Sequence, residues 1–393
     1  MLDQNPAFRR AARIDGIEIS QIVQIAEAAA QMRAEGQDVV SLSTGAPDFP
    51  TPDFVIEGAH RAALAGQTGY TATAGTNELR DAVAGEYKAK RNQVIISTGA
   101  KQVLANAMLA TLDAGDEVLI PAPYWTSYSD IVSMAGGTVV TIPCPMEQGF
   151  KLSPDALAGA ITPKTRWLML NSPSNPTGAI YTVDEIRALA AVLEHHPHVW
   201  VLTDEIYEHL SYVPFTSFAS AAPELADRTL IVSGVSKAWA MTGWRIGWGV
   251  GPAPLVAAMA AVQGQVTSGT CSIAQAAALA ALRGDRAVLA ERLALFDCRR
   301  QLMVGGLNAM AGITCPEPDG AFYVFPNIEG LMAKGGFATC GAACDWILKT
   351  AKVAIVPGSA FGLPGHVRIS FAYSLDDLNT GLSRIADALS TLG

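Results

Sequence analysis

A single lysine, Lys237, stands four residues after the end of the apolar run TLIVS, within the stretch SGVSKAWAMTGWRIGW that extends from Ser233 to Trp248. An arginine, Arg245, follows eight positions later. Burial of an ammonium group costs free energy, lowers the pKa of the amine and leaves it nucleophilic. The position therefore indicates a nucleophilic lysine, whereas the structural alternative is a surface lysine at the start of a helix.

Other side chains that could do chemistry also follow short apolar runs. The first such run leads to Gly99, Ala100 and Lys101, the second to Trp125, the fourth to Asn175, the fifth to Asp204 and Tyr207, and the sixth to Ser236 and Lys237. Each has a structural explanation by itself: Trp125 as core, Asp204 as a helix N-cap and Asn175 as a turn residue. Their joint placement after successive runs is harder to explain structurally.

Seven apolar runs between residues 93 and 250 alternate with helical stretches. These runs are QVIIS, EVLIP, TVVTI, RWLMLN, VWVLTD, TLIVS and IGWGV. The alternation predicts a mostly parallel sheet with helices on both faces, and ligands of such sheets bind outside the carboxyl ends of the strands. The side chains that follow the runs should therefore meet at one edge of the sheet.

The length of 393 residues predicts two lobes rather than one core. We expect residues 1–47 to form an N-terminal arm and part of the small domain, residues 48–290 the large domain, and residues 291–393 a small C-terminal domain. Residues from about 255 to 300 read as helix that reaches toward this second lobe. Within it, Arg368 lies in the apolar strand VRISFA, and its carboxylate partner would come from a ligand or from an internal salt bridge.

Composition excludes several classes of protein. The net charge of -9 argues against a nucleic-acid partner. The sequence contains no run of ~18 apolar residues, so we expect no membrane-spanning helix. The N-terminus is polar and does not resemble a signal peptide. The six cysteines are scattered, and the CxxxC of Cys340 and Cys344 has no second pair nearby, so we expect reduced thiols, no metal site and a cytoplasmic location.

The collected groups fit one cofactor, pyridoxal 5′-phosphate (PLP). Lys237 would form a Schiff base with its aldehyde, and Asp204 would pair with its pyridinium nitrogen. Tyr207 and Asn175 would hydrogen-bond its phenolic oxygen, and Trp125 would stack on its ring. The phosphate would be held by the helix start at Gly99, Ala100 and Lys101, with Ser236 and Arg245.

The motifs NPTG, DEIYE and SKAWAMTGWRIGW, within a match that runs from GAPDFPTP to HVRISFA, resemble the class I (fold-type I) PLP-dependent aminotransferases, in the bacterial aspartate aminotransferase subgroup. The resemblance implies an α/β fold with a three-layer large domain, built on a mostly parallel seven-stranded sheet, and a smaller α/β domain. It implies that Lys237, with Asp204 and Tyr207, is catalytic and that Lys237 carries the proton between the substrate Cα and the cofactor. It also implies cis peptides before Pro123 and Pro176. One departure is Gly234, which stands where many members have a serine.

The resemblance further implies how substrate and partner bind. Arg368 would hold the α-carboxylate, with Asn175, the Gly45 amide and Trp125 beside it. Tyr70 would reach the cofactor phosphate of a neighbouring subunit, which implies a homodimer with shared active sites. The substrates would be a small amino acid and a 2-oxo acid, exchanged by a ping-pong mechanism.

Lys101 is the residue on which the choice of substrate depends. The segment that supplies an arginine for the distal carboxylate in one subgroup is neutral here, whereas in the subgroup that this chain resembles a lysine at the start of the phosphate helix takes that role. A cation at a helix N-terminus is unfavourable unless an anion compensates it. Lys101 therefore favours aspartate or glutamate as the donor and 2-oxoglutarate or oxaloacetate as the acceptor, and a role as a mere phosphate neighbour is the alternative.

Other functions remain open at this level. Aromatic amino acids, prephenate or other amino donors would fit the same fold, and a PLP-dependent lyase shares the same cofactor seat. A nicotinamide oxidoreductase lacks its GxGxxG motif here. A serine acyl-enzyme fails because Gly234 breaks the SxxK pattern and GVSKA lacks the last glycine of GxSxG. The roughly 40 residues before GAPDF are too few for the DNA-binding domain of a regulator with this fold.

Overall fold

A seven-stranded sheet forms the centre of the computed structural model, which describes residues 9–392. The strands are β1 Val40–Ser41, β2 Val94–Thr98, β3 Glu117–Ala122, β4 Thr138–Pro143, β5 Thr165–Asn171, β6 Trp200–Asp204, β7 Thr229–Gly234, β8 Ile246–Val250, β9 Tyr323–Val324, β10 Val353–Ala354, β11 Val356–Pro357 and β12 Val367–Ser370. The helices are α1 Gln21–Ala34, α2 Asp53–Leu64, α3 Asn77–Glu86, α4 Ala100–Thr111, α5 Ser127–Met134, α6 Pro154–Ala160, α7 Val183–Glu194, α8 Phe218–Ala221, α9 Ala253–Val266, α10 Ser272–Arg283, α11 Ala287–Asn308, α12 Glu329–Gly335, α13 Cys340–Ala351 and α14 Leu375–Ser390.

The central sheet has the strand order β2-β8-β7-β6-β5-β3-β4. The contiguous strands β4, β3, β5, β6 and β7 are parallel, and β8 is antiparallel to both β2 and β7. All seven apolar runs form these strands, so the predicted sheet is confirmed. The register pairs Asn171 with Asp204 and Asp204 with Val232, which brings the carboxyl ends of three strands level.

Both faces of the sheet are covered because successive residues of a strand point to opposite sides. On β6, Leu202 packs in a cluster with Met108 of α4, whereas the adjacent Val201 packs on the other side with Leu189 of α7. The apolar character of every residue in such a run follows from burial on both faces.

A second, smaller unit is built from both ends of the described chain. Strand β1 pairs in parallel with β10, and β9, β11 and β12 form an antiparallel sheet beside them. Helix α14 packs Leu378 and Ile385 into the core of this unit. These contacts support the division into residues 1–47, 48–290 and 291–393, which we keep as a proposal because α11 runs without a break across the second boundary. Residues 1–8 of the expected arm lie outside the described residues.

The helical region that follows the large sheet is divided more finely than the sequence suggests. The sequence predicts one helical region from about 255 to 300, and the structure has three separate helices there, α9, α10 and α11. One interruption is at Gly284, where a Cβ would overlap the ring of Phe54. The close approach of that ring explains why a glycine follows the last residue of α10.

Two kinds of feature are not found in the part of the chain that the structure describes. Among residues 9–392, no helix is both long and apolar enough to cross a membrane. The same part of the chain contains no group of three or more His, Cys, Asp or Glu side chains placed to hold a metal ion.

Candidate active site

A cavity of about 300 Å³ opens at the carboxyl ends of the central strands. It is lined by Ile22, Gly45, Ala100, Lys101, Trp125, Tyr128, Asn171, Asn175, Asp204, Ile206, Tyr207, Ser236, Lys237, Thr242, Arg245, Tyr323 and Arg368. The set contains four cationic side chains, and Asp204 is the one acidic residue that the described chain contributes. The excess of positive charge predicts a ligand with more than one anionic group.

Lys237 lies just beyond the end of β7, and its Nζ donates a 2.6 Å hydrogen bond to the carbonyl oxygen of Gly45. Burial lowers the pKa of this amine to about 8, and the positive charges of Arg368 and Arg245 act in the same direction. About a tenth of the amine is therefore neutral and nucleophilic at pH 7, far more than at the usual pKa of a lysine. The sequence predicts a buried lysine with a lowered pKa, and Lys237 lies in such an environment.

Asp204 ends β6 deep in the cavity wall. Its Oδ2 accepts a 2.7 Å hydrogen bond from the hydroxyl of Tyr128, and its Oδ1 accepts one of 3.2 Å from the amide of Ile206. Burial raises the pKa of Asp204 to about 6, while the hydrogen bond from Tyr128 opposes this rise. The two hydrogen bonds hold the carboxyl group in place. A positive charge beside it would lower its pKa and favour the carboxylate.

Arg368 projects from β12 and is 1% exposed. Its Nη1 donates to Oδ1 of Asn175 over 3.0 Å, and its Nη2 donates to the carbonyl oxygen of Ser43 over 2.5 Å. Its Nε has no hydrogen-bond partner among the described residues. No carboxylate of the described chain pairs with this guanidinium, so the internal salt bridge is excluded there and a ligand carboxylate would supply the missing charge.

The start of α4 forms the anion-binding end of the cavity. The first-turn amides of Ala100 and Lys101 lack partners four residues earlier in the chain, as in any helix. The amide of Gly99 instead donates a 2.7 Å hydrogen bond to the carbonyl oxygen of Ser97, so this amide is not free for an anion. A Cβ on Gly99 would overlap the guanidinium of Arg245. Gly99 therefore makes room for Arg245 rather than donating to the phosphate.

Arg245 takes an unusual backbone conformation to reach this point. It has φ 58°, in the left-handed region, and its Nη1 donates to the carbonyl oxygen of Thr242 over 2.9 Å. Left-handed backbone at a residue other than glycine costs on the order of 1 kcal/mol and is concentrated at functional sites. Ser236 also lines the cavity, beside Lys237.

Trp125 and Lys101 form a contact at the open side of the cavity. The Lys101 Nζ lies 4.7 Å from the ring centroid of Trp125. Loss of hydration lowers the pKa of Lys101 below its usual value, and the charge of Arg245 lowers it further. Trp125 in turn packs edge-on against Tyr128, with 5.5 Å between the ring centroids.

Most of the predicted site residues are brought together. Eleven of them line the cavity directly: Gly45, Ala100, Lys101, Trp125, Asn175, Asp204, Tyr207, Ser236, Lys237, Arg245 and Arg368. Tyr70 does not line it and is 100% exposed. The expected cis peptides before Pro123 and Pro176 are present, and a third precedes Pro173.

Sequence reasoning missed several residues of the cavity wall. Tyr128 lies in the first turn of α5, three residues after Trp125, which precedes the helix, and its amide donates a 3.0 Å hydrogen bond to the Trp125 carbonyl oxygen. Tyr323 begins β9, within the stretch PDGAFYVFP, and the sequence suggested no role for it. Thr242 lies within the motif SKAWAMTGWRIGW but was assigned no role, and the sequence held no signal for Ile22, which reaches the cavity from α1.

The family comparison accords with this geometry. The sequence profile described as Aminotransferase class I and II matches residues 37–385. The chain is a member of the class I and II aminotransferases. As an aminotransferase of this family it depends on PLP and acts on amino and 2-oxo acids.

Three relatives of this aminotransferase each match more than nine tenths of the chain. The aspartate aminotransferase of Rhizobium meliloti is 48% identical over 98% of this chain and 97% of its own. The aspartate/prephenate aminotransferase of Cereibacter sphaeroides is 47% identical over 94% of this chain and 96% of its own. The structure of the Thermus thermophilus aspartate aminotransferase with maleate superposes with a TM-score of 0.91 at 38% identity, covering 97% of this chain and 100% of that one.

The cavity of the aminotransferase fits PLP in size and in chemistry. Its volume of about 300 Å³ lies at the lower end of small-ligand pockets. A phosphate would meet Arg245 and the free amides of α4, a ring nitrogen would meet Asp204, and an aldehyde would meet the Lys237 amine. Asn175 uses its Oδ1 to accept from Arg368, which leaves its amide nitrogen free to donate to a phenolic oxygen.

Proposed function

We propose that this aminotransferase moves an amino group from aspartate or glutamate to 2-oxoglutarate or oxaloacetate by a ping-pong mechanism. The observation that carries the proposal is the position of Lys101, whose ammonium group lines the cavity. Arg368 is sufficient to bind the α-carboxylate, so Lys101 is available for a second carboxylate. Two relatives and the Thermus structure bear the name of aspartate aminotransferase, and maleate, named with the latter, is a dicarboxylate. These names support a second carboxylate on the substrate.

The seat of PLP in this proposal uses the groups that line the cavity. Arg245, Ser236 and the first-turn amides of α4 would hold the phosphate, and Asp204 would hold the ring nitrogen. Tyr207 and Asn175 would donate to the phenolic oxygen, and Trp125 would cover one ring face. When bound, the cofactor supplies an electron sink for the pair of electrons left at the substrate Cα and carries the amino group between substrates.

Lys237 would perform the proton transfer. With a pKa of about 8, part of its amine is neutral near pH 7 and can accept a proton from the substrate Cα. The ammonium group that results is acidic enough to release this proton again at the cofactor. The hydrogen bond to the Gly45 carbonyl gives Nζ a fixed resting position over the cavity. Arg368, oriented by Asn175 and Ser43, would grip the α-carboxylate and aim the Cα–H bond at this amine.

Prephenate is a second candidate acceptor. A relative that is 47% identical is named aspartate/prephenate aminotransferase. In this chain the apolar side chain of Ile22 lines the same cavity as Lys101 and would give a carbon ring a surface to pack against. Lys101 would serve the distal carboxylate of either substrate, so one pocket could accept both.

Replacement of Lys101 by alanine tests the proposal. We expect kcat/KM for aspartate and glutamate to fall by one to two orders of magnitude, because a charge-assisted contact is lost, and kcat/KM for alanine to change by less than about threefold. Lys164→Ala, at an exposed lysine, is the matched control. Equal losses for all three donors would refute dicarboxylate recognition, and prephenate in the same panel would measure the second candidate.

We also propose a homodimer with shared active sites in the cytoplasm. Tyr70 is fully exposed, although a large aromatic ring favours a covered position, and a second hollow lined by Thr51, Thr98 and Cys271 opens beside Arg245. A tyrosine from a partner subunit would reach the phosphate through this opening. The six cysteines are all unpaired, which supports a reducing compartment.

The dimer can be tested by mass and by cofactor affinity. Light scattering should give twice the chain mass of 41.2 kDa. Tyr70→Phe should weaken binding of PLP several-fold and leave binding of pyridoxal, which has no phosphate, unchanged. A monomer of full activity would disprove the shared site.

A further inference from the structure

Tyr323 places a second phenol against the predicted catalytic tyrosine. The hydroxyl oxygens of Tyr207 and Tyr323 lie 2.9 Å apart, and the two rings meet edge-on with 5.9 Å between their centroids. Both side chains are buried and both line the cavity. The hydrogen bond between them joins the segment that follows β6 of the large sheet to β9 of the smaller unit.

A count of protons assigns the direction of this hydrogen bond. A phenol has one proton to donate and two lone pairs with which to accept. If Tyr207 donates its proton to the phenolic oxygen of PLP, as the proposed function requires, that proton is not available for Tyr323. The contact then survives only with Tyr323 as the donor and the Tyr207 oxygen as the acceptor.

The surroundings of Tyr323 fix its hydroxyl at this place. The guanidinium of Arg368 lies 4.6 Å from the ring centroid of Tyr323, and Phe322 packs at 4.8 Å. On another side, a Cβ at Gly45 would overlap the Tyr323 hydroxyl, so the glycine leaves room for it. These contacts hold the Tyr323 side chain in one conformation, with its hydroxyl next to that of Tyr207.

We propose that Tyr323 is a positioning residue, which donates its proton to the Tyr207 oxygen and thereby turns the Tyr207 proton toward the cofactor. Accepting this hydrogen bond polarises the Tyr207 hydroxyl and makes it a stronger donor. A stronger donor stabilises negative charge on the phenolic oxygen of PLP. The inference rests on the proposed function, because it needs PLP seated with that oxygen at Tyr207.

The pH midpoint of the visible band of the PLP-loaded protein measures this effect, because the midpoint reports protonation next to the phenolic oxygen. Tyr323→Phe should raise the midpoint by roughly half a pH unit, and Tyr207→Phe should raise it further. Arg368, Asp204, Lys237 and Tyr373 face the two phenols and remain in place in both variants.

A double variant separates action through Tyr207 from any other effect. If Tyr323 acts through Tyr207, then Tyr207→Phe combined with Tyr323→Phe has the same midpoint as Tyr207→Phe alone. An added shift in the double variant would overturn the inference, as would an unchanged midpoint in Tyr323→Phe. Tyr212→Phe, which removes a phenol that donates to the Ala321 carbonyl, is the matched control and should leave the midpoint unchanged.

The same series distinguishes this inference from the proposed function. If Tyr207→Phe itself leaves the midpoint unchanged, the proposed seat of PLP at Tyr207 is wrong and the inference falls with it. If Tyr207→Phe raises the midpoint and Tyr323→Phe does not, the seat stands and the role of Tyr323 alone is refuted. Each Tyr→Phe change removes a single oxygen atom, so we expect the fold to be kept. The melting temperature of each variant checks this.

Discussion

The hydroxyl of Tyr128 donates a 2.7 Å hydrogen bond to Oδ2 of Asp204, in a place where both side chains are almost completely buried. This contact favours the ionised form of a carboxyl group whose burial raises its pKa to about 6. Helix α5 thus supports a group on β6 that the sequence marked as chemically important.

Tyr128→Phe should raise the pKa of Asp204 further, because the hydrogen bond that favours the carboxylate is lost. Titration of the cofactor-free protein with PLP should show about tenfold weaker binding at pH 6, where the carboxyl group would be largely protonated. At pH 8 the loss should be smaller, since the carboxylate is then ionised in both proteins. Tyr181→Phe, at another buried tyrosine, is the control, and an equal loss at both pH values would contradict the expected cause.

Arg368→Lys keeps a positive charge and removes the planar fork that donates to Asn175 and Ser43. We expect kcat/KM to fall on the order of a hundredfold for aspartate, glutamate and alanine alike, because all three carry an α-carboxylate. Arg300→Lys, at an arginine that pairs with Asp297, is the control. A loss confined to the dicarboxylic donors would assign Arg368 to the distal carboxylate instead.

Gly99→Ala should weaken the hold on the phosphate, because its Cβ would overlap the Arg245 guanidinium. The dissociation constant for PLP should rise by about tenfold or more, whereas that for pyridoxal should stay nearly constant. Gly115→Ala is a matched control, since Gly115 also has a positive φ, 98°, and a Cβ there meets nothing within 4 Å. Loss of PLP binding in both variants would point to backbone strain rather than to Arg245.

Glu205 gives a prediction for stability rather than for activity. Burial, followed by the charge of Glu208, raises its pKa to about 8, and its Oε2 has no partner among the described residues. Since the folded-state pKa is raised, the neutral carboxyl stabilises the fold fully below about pH 4.5, and this contribution is lost as the pH rises through about 8.

Glu205→Gln should therefore make the melting temperature depend less on pH between 6 and 9, with the largest gain over the parent at pH 9. Differential scanning calorimetry of the cofactor-free protein measures this directly. Glu224→Gln, at an exposed carboxylate, should follow the parent at every pH. A variant that loses stability uniformly would show that the hydrogen bonds to Oε1 outweigh the charge.

The sequence predicts the large sheet well because strands buried on both faces read as uniform apolar runs. It also places Asp204, Asn175 and Lys237 together, since residues that follow parallel strands share one edge. Arg368 comes from a distant segment, and its place opposite Asn175 was implied by the family resemblance rather than by periodicity.

The predictions fail where a role depends on a single contact in space. The amide of Gly99 was expected to bind the phosphate, and it bonds the Ser97 carbonyl instead. The support of Asp204 by Tyr128 and of Tyr207 by Tyr323 depends on which side chains face each other after packing. No local pattern of residue types encodes such pairs.

Strand β1 pairs with β10 through Val40 and Val353, residues more than three hundred positions apart. On the ribosome, the first of these strands emerges long before the second is made, whereas every strand of the central sheet is complete by residue 250. The cofactor-binding sheet can therefore fold while synthesis continues, and the smaller unit closes last. The Arg368 side of the cavity is thus assembled only after β12 has been made, so a nascent chain would acquire its phosphate-binding half before it could bind a substrate carboxylate.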